Sequence, residues 1–120
     1  MAGKQIAAAR ARPDAVFASN DMMAIGCLFA LTELGLRVPQ DIALAGFDDI
    51  PIARFVTPPL TTVRAQTTEL GRQALEELAG AIEEPGSVKR AQHTLATALV
   101  IRASCGAVAP EAAATGSGLS

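Results

Sequence analysis

Two apolar runs in this chain end in acids and an amide. Residues 15–18, Ala-Val-Phe-Ala, lead into Ser19, Asn20 and Asp21, and residues 42–45, Ile-Ala-Leu-Ala, lead into Gly46, Phe47, Asp48 and Asp49. A carboxylate accepts charge-assisted hydrogen bonds, and an amide donates and accepts at once. Gathered in one place, such groups suit a polyhydroxylated or amine-bearing small molecule. Acid–base catalysis by Asp48 and Asp49 is the competing chemistry. Adjacent loop residues rarely face one substrate, however, and no nucleophile, glycine cradle or metal set accompanies them. His93 is the single histidine, with no second ligand nearby and no serine–acid arrangement. Cys27 and Cys105 match no metal or redox spacing, and Cys27 reads as a small core residue. The chain therefore reads as a binding protein rather than an enzyme, with no metal and no cofactor.

The elements that place these residues follow from pattern. Each apolar run is short and continuous, as in a strand buried on both faces. Asn20 or Asp21 caps a helix running through Leu34, with Gly35 as its stop. Strand, helix and strand joined by short links predict a parallel βαβ unit. Both strand exits then fall on the carboxyl edge, where α/β sheets bind ligands, so Asn20, Asp21, Asp48 and Asp49 are expected along one rim. Within the helix, Ala24, Leu28, Leu31 and Leu34 or Gly35 form a stripe for the sheet. Met22, Ile25, Phe29 and Thr32 form a second, so something is expected on both sides.

Elsewhere, residues 6–12 read as the end of a helix closed off by Pro13. Ile52, Phe55 and Val56 are too apolar for an idle surface loop. Residues 60–64 read as a third strand, and a helix capped by Thr67 or Thr68 runs to residue 83, with Leu70, Ala74, Leu75, Leu78 and Ile82 at helical spacing. A β-rich segment spans 93–103, and the Ala/Gly/Ser-rich residues 107–120 read as a disordered tail, leaving 1–106 as one domain.

Of the 120 residues half are hydrophobic and the formal net charge is −2. That fits an ordinary globular domain with a real core and lacks the basic stripe of a nucleic-acid-binding domain. No apolar run is long enough to cross a bilayer, and Arg10 and Arg12 interrupt what would be a signal peptide, so a cytoplasmic location is expected.

Four segments carry a resemblance. Residues 13–26 (PDAVFASNDMMAIG), 35–42 (GLRVPQDI), 46–51 (GFDDIP) and 58–64 (PPLTTVR) resemble the lactose/galactose repressor family of bacterial transcription regulators, in that family's order and at about its spacing. The resemblance covers roughly residues 12–104. It implies an α/β fold: a partial doubly wound parallel sheet, the C-terminal lobe of a periplasmic-binding-protein-like effector domain. It also implies a DNA-binding headpiece that is not in this chain, so operator DNA would be reached only through that headpiece. The helix near 68–83 would then face a lobe absent from this chain, leaving it to fold back, pair with another copy or stay exposed.

By the same resemblance Asp48 is the cleft aspartate and Asn20 a second cleft position, with the effector a sugar or a nucleoside-like metabolite. Phe47, with Phe17, supplies apolar wall. Arg64, on the crossover strand, is a further effector contact or is simply solvated; where the family often has Gln next, this chain has Ala65 and then Gln66. Asp21 reads as a cap and Asp49 as an acid holding the loop. Family dimers pack this helix and this loop, which assigns Met22, Ile25, Phe29, Phe55 and Val56 to a homodimer interface. The reading is thus the effector-sensing and dimerising portion of a transcriptional regulator. The alternative is a fragment of a periplasmic sugar-binding protein of a transporter, opposed by the missing signal peptide and the two-sided helix.

Overall fold

The computed structural model describes residues 2–86 and 92–107. Its elements are α1 (Ala2–Ala8), β1 (Ala15–Phe17), α2 (Asp21–Glu33), β2 (Ala43–Ala45), a 3-10 turn (Pro51–Arg54), β3 (Thr62–Arg64), α3 (Thr67–Glu83), β4 (Ala98–Val100) and a second 3-10 turn (Ala103–Cys105).

β1 and β2 pair in parallel, with Ala15, Val16 and Phe17 opposite Ala43, Leu44 and Ala45. α2 connects them, as the short links require. Thr61 continues the sheet beyond β2 through a parallel bridge to Ala45. The chain then pairs antiparallel, Thr62–Arg64 with Ala98–Val100.

α2 is closed at both ends by local chemistry. Asn20 is its N-cap, and its Oδ1 accepts from the Met23 N–H at 2.9 Å. At the far end Gly35 N–H donates to Thr32 and Leu36 N–H to Leu31, the double bond of a Schellman stop. Gly35 sits at φ +73°, which a side chain would resist. Ala24, Leu28 and Leu31 of the predicted sheet-facing stripe are buried with Ile42, Leu44 and Leu60, while Leu34 stands 49% exposed past the end of the sheet. Cys27 is buried with them, and burial pushes its thiol pKa up. Gly3 of α1 lies against α2, where an added Cβ would stand 2.7 Å from the Ala30 Cβ.

Several sequence expectations need correction. α1 ends at Ala8, not at Pro13; Ile6 and Ala7 pack on the core, but residues 9–12 offer only exposed side chains to hold further turns. β1 is not buried on both faces: Phe17 is 65% exposed, and no described element covers it. α3 is capped by Gln66 rather than Thr67 or Thr68, and the Gln66 side chain makes no capping bond. Gln66 instead donates to the Ala96 carbonyl. Only Ala98–Val100 of the segment 93–103 forms a strand. The expected tail lies, from residue 108 on, outside the described residues.

Candidate functional site

The parallel register sends the chain out of β1 and β2 at the same sheet edge. The Asp21 N–H donates to Phe47 at 2.8 Å, tying the two exits together, and the Asp48 N–H donates to Val63 of β3 at 2.9 Å. Asn20, Phe47, Asp48 and Arg64 therefore share one edge. Gly46 permits the close approach, since a Cβ there would stand 2.4 Å from Asp21 Oδ1.

The acids at this edge have separate fates. Asp21 is fully buried; its Oδ1 accepts from Thr62 Oγ1 at 2.6 Å and its Oδ2 from the Ile50 N–H at 2.9 Å. It is the rivet between α2, β3 and the acidic loop, more than the helix cap expected of it. Asp49 is also enclosed, its side chain 4% exposed. Its Oδ2 accepts from Arg64 Nε at 2.7 Å and its Oδ1 from Arg102 Nη2 at 2.7 Å. Burial pushes the Asp49 carboxyl pKa up, but hydrogen bonds and charge from Arg102 and Arg64 outweigh that and hold it below its ordinary value. Asp48 lies between these anchored acids and is exposed, and among the described residues no hydrogen bond or ion pair reaches its carboxylate.

The backbone here is unusual. Asp48 has φ 114° and Asp49 φ 52°, the only non-glycine residues with positive φ among those described. Such conformations cost about 1–3 kcal/mol each and persist where the surroundings over-determine them. Asp49 supplies that determination through its two arginines, and Ile50 through its bond to Asp21.

An open hollow of about 420 Å³ lies beside the loop, lined by Asp48, Asp49, Arg64 and the start of α3 from Gln66 to Glu69. Asp48 and Arg64, both expected here, are brought together. Asn20 and Phe47 share the edge but do not line this hollow. Arg64 remains 55% exposed despite its ion pair with Asp49. At the first turn of α3, hydrogen bonds from Arg72 and Gln73 hold the Glu69 carboxyl down to about 2. Among the described residues no group of acids, cysteines and histidine could hold a metal ion.

Three contributors were not singled out in the sequence. Thr62 bonds Asp21. Arg102 grips Asp49 and also donates from Nη1 to the Leu60 carbonyl at 2.9 Å. Ser104, fully buried, accepts from the Thr61 N–H at 2.8 Å and donates to the Leu44 carbonyl at 2.6 Å. Only Arg102 left a trace, as a lone cation closing a β-rich segment; the hydroxyls had no local signature.

The expected interface residues divide. Met22, Phe29 and Phe55 are 66%, 68% and 76% exposed. Ile25 and Val56 are half-buried against the core. His93 pairs with Glu77 on α3 and does not line the hollow beside the acidic loop.

The periplasmic binding protein-like domain family matches residues 1–105, which span the βαβ unit and the acidic loop at its carboxyl edge. The chain belongs to this family, in the form found in LacI-family transcriptional regulators. It is 43% identical over 102 residues to the lactose operon repressor of Rhizobium radiobacter, covering 84% of this chain and 88% of that protein. It is 51% identical over 74 residues to the ribose operon repressor of Escherichia coli K12, covering 62% of this chain and 22% of that protein. It thus spans well under a third of the ribose repressor's length. Among solved structures, a LacI-family transcriptional regulator of Sanguibacter keddieii superposes with a TM-score of 0.82 at 38% identity, covering 88% of this chain and 40% of that one. A LacI-family regulator of Lactobacillus casei with bound sucrose superposes with a TM-score of 0.70 at 38% identity, covering 85% and 38%.

Proposed function

We propose that this chain is the effector-sensing portion of a LacI-type transcriptional regulator and that it takes a sugar at the carboxyl edge of its sheet. One observation carries this: of the three acids at that edge, Asp21 and Asp49 are enclosed and partnered, and Asp48 alone is exposed, with no partner for its carboxylate among the described residues. A carboxylate so placed accepts bonds from hydroxyl pairs. Arg64 stands across the hollow, with Asn20 and Phe47 farther along the same edge. The bound sucrose in the Lactobacillus casei regulator supports the same ligand class. Sugar binding would then shift a conformational equilibrium read out by a headpiece that contacts operator DNA, in the cytoplasm.

The test is calorimetric titration of the chain with sucrose, lactose, cellobiose and D-ribose. Binding of at least one, weakened tenfold or more by Asp48→Asn, is the expected result. No binding across the panel, or full affinity in Asp48→Asn, overturns it.

A second copy is the proposed partner of α2 and the loop after Asp49. Met22, Phe29 and Phe55 are large, apolar and outward-facing, with Ile25 and Val56 beneath them. Phe55→Asp, or Ile25→Glu, is expected to shift the dimer to monomer in sedimentation. The first is the cleaner variant, because Ile25 also touches the core.

A further inference from the structure

We propose that Arg102 is a positioning residue for the ligand-facing carboxylate of Asp48, acting through Asp49 and never touching ligand. The inference rests on the sugar-binding reading above and adds a residue 54 positions away in sequence.

Among the described residues Asp48 has one backbone bond, its N–H donating to Val63, and it has a φ of 114° that its chain would not adopt freely. What fixes it lies on its C-terminal side. Asp49 is gripped at one carboxylate oxygen by Arg64 and at the other by Arg102. These arginines are not equivalent. The Arg64 side chain is 55% exposed and lines the hollow, while that of Arg102 is 14% exposed. Exposed ion pairs contribute little and are screened by salt, whereas a desolvated, hydrogen-bonded one is costly to break.

Arg102 is itself immobilised. Its guanidinium spans Asp49 and the Leu60 carbonyl. Its backbone exchanges two bonds with the Thr61 hydroxyl: Arg102 N–H donates to Thr61 Oγ1 at 2.8 Å, and Thr61 Oγ1 donates to the Arg102 carbonyl at 2.9 Å. The guanidinium is thus a fixed strut between the strand leading into β3 and the acidic loop. Take it away and the Asp49 carboxylate keeps only the solvent-exposed Arg64 among the described residues, and the strained Asp48 backbone can relax out of the hollow.

Amide hydrogen exchange on the full chain, with sugar titration alongside, tests this. Arg102→Gln is expected to speed exchange at Asp48, Asp49 and Ile50 at least tenfold while the α2 amides of Ala24 and Leu28 keep their protection. Affinity for whichever sugar binds the unsubstituted chain falls tenfold or more. Arg102→Lys keeps the charge but not the two-way reach, and is expected to restore part of both; it also carries the test if Arg102→Gln does not fold. Arg64→Gln is expected to loosen the same amides less. Unchanged exchange at 48–50, a uniform rise along the whole chain, or unchanged affinity in a loosened loop overturns the role of Arg102. Local loosening in a chain that binds no sugar overturns the sugar reading alone.

Discussion

The two helices that cross this molecule are treated in opposite ways. α2 reads as apolar on nearly every side, yet its Ala24, Cys27, Leu28 and Leu31 sink into a core with β2 and Leu60. α3 has the cleaner amphipathic pattern, and not one of its residues is buried. Leu70, Leu75, Leu78 and Ile82 stand 53–70% exposed, and Leu99 and Ile101 of the β4 region add to the apolar surface. A hydrophobic stripe at helical spacing therefore reports a face that wants covering, and it does not say that the cover belongs to the same chain.

That contrast can be broken by substitution. Leu31→Ala removes a fully buried side chain and is expected to cost about 4 kcal/mol, measured by urea denaturation. Asp21→Ala strips the Thr62 hydroxyl and the Ile50 N–H of a buried acceptor and is expected to cost about 3 kcal/mol in the same assay. Leu78→Ala, on the uncovered helix, is expected to change stability by less than about 0.5 kcal/mol. A Leu78 effect as large as that of Leu31 would mean that α3 is packed after all, and the contrast fails.

Acid titration sharpens the comparison further. Asp49 has a folded pKa below its ordinary 3.8, so its contribution is present above that value and is lost as pH falls through the lower folded one. The loop around Asp48 is expected to loosen over that acid range before the core of α2 unfolds, as seen by amide shifts. The smallest effect is local. Bonds from Arg37 hold the Asp41 carboxyl at about 2, and Arg37→Ala is expected to return its NMR titration midpoint toward 3.8 with little change in melting temperature.

Much of this was legible from residue order. The βαβ unit, a cap at Asn20 or Asp21, the Gly35 stop, the length of α3 and the shared edge of Asn20 and Asp48 all follow from local periodicity and turn chemistry, which act over a few residues. The structural role of Asp49 was also readable, though its partners were not. What was hidden depends on contacts far apart in the chain. Arg102 meets Asp49 and Ser104 meets Leu44 only because β3 and the last turn lie alongside β2. The exposure of Phe17 was missed because burial of a strand depends on what covers it, which no periodicity encodes.

Ser104 has a consequence for how this polypeptide is made. Its hydroxyl closes the open side of β2 at Leu44 and satisfies Thr61, and its N–H reaches the Pro59 carbonyl. A chain emerging N-terminus first can assemble α2 on β1 and β2 well before residue 104 leaves the ribosome. Until then one strand margin stays unsealed, the kind of surface on which neighbouring chains stack. Premature termination after Leu60 but before Arg102 is thus expected to yield insoluble product even though nearly all of the apolar interior has been translated.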